Sequence, residues 1–60
     1  MNYELKKARE NLGLTQQYLA EIVGVTRQTI GLIEQNKYNP NIKLCIKICV
    51  SLNKTLDDLF

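Results

Sequence analysis

Residues Thr15 to Asn36 read TQQYLAEIVGVTRQTIGLIEQN, and this stretch decides the fold. Thr15 and Thr26 are of the residue type that caps helix N-termini, its side-chain oxygen accepting from a backbone N–H two or three residues on. After Thr15 the apolar residues Leu19, Ala20, Ile22 and Val23 return with a helical period, and after Thr26 so do Ile30 and Ile33. Only Gly24 and Val25 stand between the first segment and the second cap. A glycine there lets the backbone take a positive φ and reverse sharply. Ala20 is small enough for the following helix to cross close by, and Val25 and Ile30 fill the angle between the two. The stretch predicts two short helices meeting across a tight turn.

The flanking sequence has the same punctuation. Asn2 caps a first helix through Leu12, with Leu5, Ala8 and Leu12 on one face and Glu4 in its first turn. Gly13 stops it in the left-handed region, with Leu14 as the accompanying hydrophobic contact. The third helix runs from Arg27 to Gln35 and ends before Asn36, the second choice after glycine for a positive φ. Lys37-Tyr38-Asn39-Pro40 is a loop, because Pro40 excludes helix at Asn39. Asn41 caps a fourth helix to about Leu52, whose buried stripe is Leu44, Cys45, Ile48, Cys49 and Leu52. Thr55 and Asp58 form a capping box for a last turn ending at Leu59-Phe60. The expectation is an all-α, compact five-helix chain forming a single domain over 1–60.

Composition removes most function classes. Sixty residues with a net charge of +2 allow one domain, and a chain of that size buries only about 60% of its unfolded surface. The apolar share of 45% belongs to a folded protein rather than a disordered one. No apolar run approaches the roughly 20 residues of a membrane helix. Met1-Asn2-Tyr3-Glu4 lacks the layout of a signal peptide, so a cytoplasmic location is expected. The sequence has no His, which removes the commonest general base and zinc ligand. Cys45 and Cys49 alone cannot complete a four-ligand zinc site, and their i, i+4 spacing on a helix suits a disulfide poorly. They read as small, reduced core residues. No Gly-rich phosphate loop, paired-carboxylate site or nucleophile with a base can be assembled, and Asp57-Asp58 read as charges at a helix N-terminus. No enzyme, cofactor, metal or small-molecule ligand is expected.

Two short helices joined through a glycine turn are the sequence form of a helix-turn-helix, here about 15–36. The residues on that frame resemble the Cro and phage-repressor-like (XRE-type) helix-turn-helix regulators. Leu12-Gly13-Leu14-Thr15-Gln16-Gln17-Tyr18-Leu19-Ala20 is similar to that family's opening. Gly24-Val25-Thr26-Arg27-Gln28-Thr29-Ile30 resembles its turn and recognition helix, Ile33-Glu34 its helix end, and Lys37-Tyr38-Asn39-Pro40 the loop that follows. The likeness runs on through Leu56-Asp57-Asp58-Leu59-Phe60. Three positions depart from it: Asn36 stands where Gly is usual, Gln35 where Asn is frequent, and Gly31 where most members carry a side chain. The resemblance implies a lambda-repressor-like DNA-binding domain, with the helix-turn-helix formed by helices 2 and 3 and the third helix entering the major groove.

Site residues follow on that frame. With Ile30 and Ile33 facing the core, the outward face of the third helix is Thr26, Arg27, Gln28, Gly31, Leu32 and Gln35. Arg27 suits guanine O6 and N7, and Gln28 suits adenine N6 and N7, although either side chain can instead bind phosphate. Leu32 either packs on thymine methyls or folds back toward Tyr38. Gly31 weakens the helix by about 0.5–1 kcal/mol relative to alanine and leaves room for backbone to approach DNA. Backbone contacts are expected from Gln16 and Gln17 at the second helix, from Thr26 and Thr29, and from Asn36, Lys37, Tyr38, Asn39 and Lys43 after the recognition helix. Their plainer reading is a polar loop with a solvated lysine pair. Lys37, Lys43, Lys47 and Lys54 occur with no acid between Gln35 and Leu56. By resemblance, Arg9 and Glu34 form an internal ion pair joining the first helix to the end of the third.

The expected function is therefore a sequence-specific regulator of transcription, a repressor, acting on double-stranded DNA as a homodimer on a palindromic operator. Val50 and Phe60 are candidates for exposed apolar contacts between copies; otherwise Ile46, Leu56 and Phe60 complete the core. The alternative is a protein-binding module, an antitoxin-like partner on the same scaffold. An apolar surface around Leu32 would favour it.

Overall fold

Residues 2–60 are described by a computed structural model. The helices are α1 (Tyr3–Asn11), α2 (Gln16–Val23), α3 (Arg27–Glu34), α4 (Ile42–Leu52) and α5 (Leu56–Leu59), with no strand among the described residues. Each begins at a polar cap. The side chains of Asn2, Thr15, Thr26, Asn41 and Thr55 accept from the backbone N–H groups of Leu5, Tyr18, Thr29, Leu44 and Asp58 respectively. Gly24, at φ 83°, makes the turn that lets α3 fold back across α2. Asn36 and Asn53 take left-handed φ values of 59° and 57° after α3 and α4. For Asn such a conformation is tolerable because its short polar side chain bonds locally.

The core is one cluster to which every helix contributes. Leu5, Leu19, Ile30, Ile33, Ile48 and Leu52 are fully buried, with Ala8, Ala20, Val23, Cys49 and Leu59 around them. Leu14, Val25 and Leu44 pack against its edge. Hydrogen bonds of Asn2 tie the two ends of the chain to this frame: its backbone N–H donates to Glu34 O at 2.7 Å, and its side-chain Nδ2 donates to Leu59 O at 2.9 Å. Cys45 and Cys49 are buried and reduced, and their thiols donate to the carbonyls of Pro40 and Thr55. Burial pushes both thiols above their ordinary range.

Several apolar residues lie elsewhere than the sequence pattern predicts. Leu12 is exposed, because α1 ends at Asn11 and Leu12 is already its C-cap. Ile22 is 48% exposed: Leu19, Ala20 and Val23 occupy the inward face of α2 and leave Ile22 on its flank. Leu44 is only half-buried. Ile46, Leu56 and Phe60 do not complete the core, which closes without them and leaves all three exposed. No described helix is long and apolar enough to cross a membrane.

Candidate nucleic-acid interface

Burial of Ile30 and Ile33 fixes the rotation of α3, so the opposite side of the helix faces solvent. Thr26, Arg27, Gln28 and Gln35 are exposed there, whereas Thr29, Gly31 and Leu32 are half-buried. The helix start is held by its cap: Thr29 N–H donates to Thr26 Oγ1 at 3.2 Å, and the two hydroxyls share a hydrogen bond of 3.0 Å. A methyl group added at Gly31 would meet only the Gln16 amide, at an ordinary 3.8 Å. No other part of the chain therefore requires glycine at that position.

Behind this face lies a buried charge pair. Arg9 Nε donates to Glu34 Oε2 at 2.7 Å and Arg9 NH2 to Glu34 Oε1 at 3.3 Å. Only 7% of Arg9 and 3% of Glu34 is exposed. Arg9 NH1 reaches the Leu14 carbonyl at 2.7 Å, so the guanidinium also fixes the entry to α2. Glu34 Oε1 accepts a further bond of 3.0 Å from Gln16 Nε2, and Gln16 Oε1 accepts from Arg27 NH1 at 3.3 Å. Gln17 turns along α2 instead, donating to Glu21 at 2.8 Å.

The segment after α3 has a different character. Lys37 N–H donates to Leu32 O at 2.8 Å and Asn36 N–H to Ile33 O at 3.0 Å, closing the helix end. Asn36, Lys37, Tyr38, Asn39 and Lys43 are all exposed. Among the described residues the ion pairs are those of Arg9 with Glu34 and Glu10, so Lys37, Lys43, Lys47 and Lys54 keep unneutralised charge. Glu34, the nearest acid in sequence to Lys37 and Lys43, is buried against Arg9, whereas Lys54 is followed closely by the exposed Asp57 and Asp58. The arrangement presents hydrogen-bonding side chains on one helix and positive charge on the segment that leaves it.

Sequence reasoning missed the Gln16 amide as a bridge. Gln16 and Glu34 are 18 residues apart, and no periodic signal links them. It also missed the second role of Asn2, whose side chain reaches Leu59 across 57 residues.

Comparison with known proteins matches residues 5–59 to the family model described as HTH_3, helix-turn-helix. An uncharacterized HTH-type transcriptional regulator of Bacillus subtilis, YgzD, is 40% identical over 60 residues, covering all of this chain and 91% of its own. An uncharacterized HTH-type transcriptional regulator of Archaeoglobus fulgidus is 42% identical over 60 residues, covering all of this chain and 86% of its own. The crystal structure of the restriction-modification controller protein C.AhdI from Aeromonas hydrophila superposes with a TM-score of 0.90 at 27% identity, covering 98% of this chain and 89% of that one.

Proposed function

The chain belongs to the helix-turn-helix family of DNA-binding transcriptional regulators, and from that premise we propose that it is a sequence-specific repressor acting through α3 in the major groove. The carrying observation is the contrast on α3 between a locked inner face and an outer face that exposes Arg27 and Gln28. Arg27 reads guanine through O6 and N7, Gln28 reads adenine through N6 and N7, and Gly31 and Leu32 lie against the next base pairs, Leu32 on thymine methyls. Thr26, Thr29, Gln16 and Gln17 on one side, and Asn36, Lys37, Tyr38, Asn39 and Lys43 on the other, hold the phosphates. Residues 1–60 form one DNA-binding domain without catalytic activity, working in the cytoplasm where it meets its DNA. Two copies bind a palindrome with half-sites about one helical turn apart. The protein-binding alternative lacks support on α3, because Leu32 is half-buried and its exposed neighbours are polar.

Selection of bound duplexes from a random pool at moderate salt tests this reading. The wild-type protein should enrich a palindrome. Arg27→Ala and Gln28→Ala should each relax one base position at a cost of about 1–3 kcal/mol. Failure to enrich any sequence overturns the reading. An enriched palindrome indifferent to both substitutions removes the base contacts and leaves DNA binding in place.

A further inference from the structure

Gly31 weakens α3, and no contact within the chain compensates for it. Inside a helix, glycine is less favourable than alanine because more backbone freedom is lost on folding. Gly13 and Gly24 need glycine for their positive φ, whereas Gly31 has an ordinary helical backbone. An added Cβ would meet only the Gln16 amide, at 3.8 Å. The missing side chain leaves a notch about one methyl group deep on the outward side of the helix. Arg27 and Gln28 stand a turn before it and Gln35 a turn after it, all three exposed.

The polar groups around this notch are already engaged. Gly31 O accepts from Gln35 N–H at 3.1 Å, and Gly31 N–H lies within the helix ladder. The Gln16 amide beside it donates to Glu34 at 3.0 Å and accepts from Arg27 at 3.3 Å. A base edge bearing only N–H groups and lone pairs would lose water there without gaining a partner. In the major groove the apolar exception is the 5-methyl group of thymine. We infer that Gly31 is a specificity-determining residue: its notch seats one thymine methyl, which a side chain at this position would exclude. The assignment rests on the DNA reading above. It differs from the contact proposed for Leu32, where a side chain, and not the absence of one, meets the base.

Replacing each thymine of the selected site by uracil, one at a time, removes the methyl and leaves the hydrogen-bonding edge unchanged. The wild-type protein should lose about fourfold in affinity at one thymine of each half-site, the effect of one buried methyl group. Gly31→Ala should melt about 2–8 °C higher, since alanine suits the helix and meets no clash. This variant should bind random duplexes as the wild type does and bind the selected site more weakly. At that one thymine it should no longer distinguish thymine from uracil, whereas Leu32→Ala should keep the distinction there. A wild-type protein that selects a palindrome and is indifferent to every thymine methyl overturns the inference and leaves the DNA reading in place. Methyl preferences that all survive in Gly31→Ala overturn it too, and their loss in Leu32→Ala instead assigns the methyl to that side chain. If the wild-type protein selects no sequence, the DNA reading fails and the role of Gly31 fails with it.

Discussion

Arg9 is the residue on which the inner frame depends most heavily. Its guanidinium is spent on three partners, two oxygens of Glu34 and the carbonyl of Leu14, in a site closed to water. A buried pair of this kind adds little net stability against an apolar substitute, but removing one partner strands the other charge, at a cost of roughly 3–5 kcal/mol. In Arg9→Ala the Glu34 carboxylate would keep only Gln16. Lys6 sits on the same helix, half-buried and without an ion pair among the described residues. Arg9→Ala should therefore lower the melting temperature by more than about 10 °C in a domain of this size, while Lys6→Ala stays within a few degrees. Equal thermal melts for the two variants would remove Arg9 from the structural frame. The pair also marks a limit of sequence reading. Neither helix periodicity nor capping links residue 9 to residue 34, and only the family resemblance joins them.

At the scale of the element, the helices were legible because their ends are written in short-range chemistry. Each cap oxygen meets a backbone N–H three residues away, so Asn2, Thr15, Thr26, Asn41 and Thr55 announce their helices without tertiary information. Gly24 and Asn36 mark ends for the same reason; Asn53, which ends α4 in the same left-handed conformation, went unread in the sequence. Burial was less legible. Ile22 has the same hydropathy as Ile30, and only the crossing of α2 over α3 and α4 decides which one meets the core. The shortest helix, α5, shows what a cap contributes. Thr55 N–H donates to Asp58 Oδ2 at 2.9 Å, and this bond, with the Thr55 side chain next, holds the Asp58 carboxyl below its ordinary 3.8. A folded-state value below the unfolded one means that the stabilisation is complete above the ordinary value. It disappears as pH falls through the folded value. The Leu59 amide resonance and the melting temperature should thus hold steady down to about pH 4 and change below it, with Asp58→Asn losing that part of the acid response. A wild-type titration that overlays Asp58→Asn would assign the acid sensitivity elsewhere.

At the scale of the whole molecule, the lysines without an ion pair and the apolar residues left outside the core are the features on which the proposed pairing of two copies depends. Ile22, Ile46 and Val50 line one groove between α2 and α4, and Val50 is 75% exposed. The sequence singled out Val50 because it lies beside the buried stripe of α4. Ile22 joins it only through the packing of α2 on α4. For the two-fold pair proposed above, we assign this groove to the contact with its own copy, where each of the three side chains would count twice. Ile22 and Ile46 are half-covered already, whereas Val50 is mostly exposed; at the low end of burial energies each contributes about 1.5 kcal/mol. Their total is comparable with the roughly 4–15 kcal/mol lost on association. For the proposed pair, that balance predicts a dimer too weak to persist alone at micromolar concentration and formed when both copies are held on one operator. Sedimentation of the free protein at tens of micromolar should then show mainly monomer, while binding to the palindrome is cooperative and binding to an isolated half-site is weak and salt-sensitive. Val50→Lys should leave the fold intact, abolish the cooperativity and spare half-site affinity, since the added charge opposes only the contact between copies. Cooperativity that survives Val50→Lys would move the dimer contact away from this groove, with exposed Phe60 the next surface to substitute.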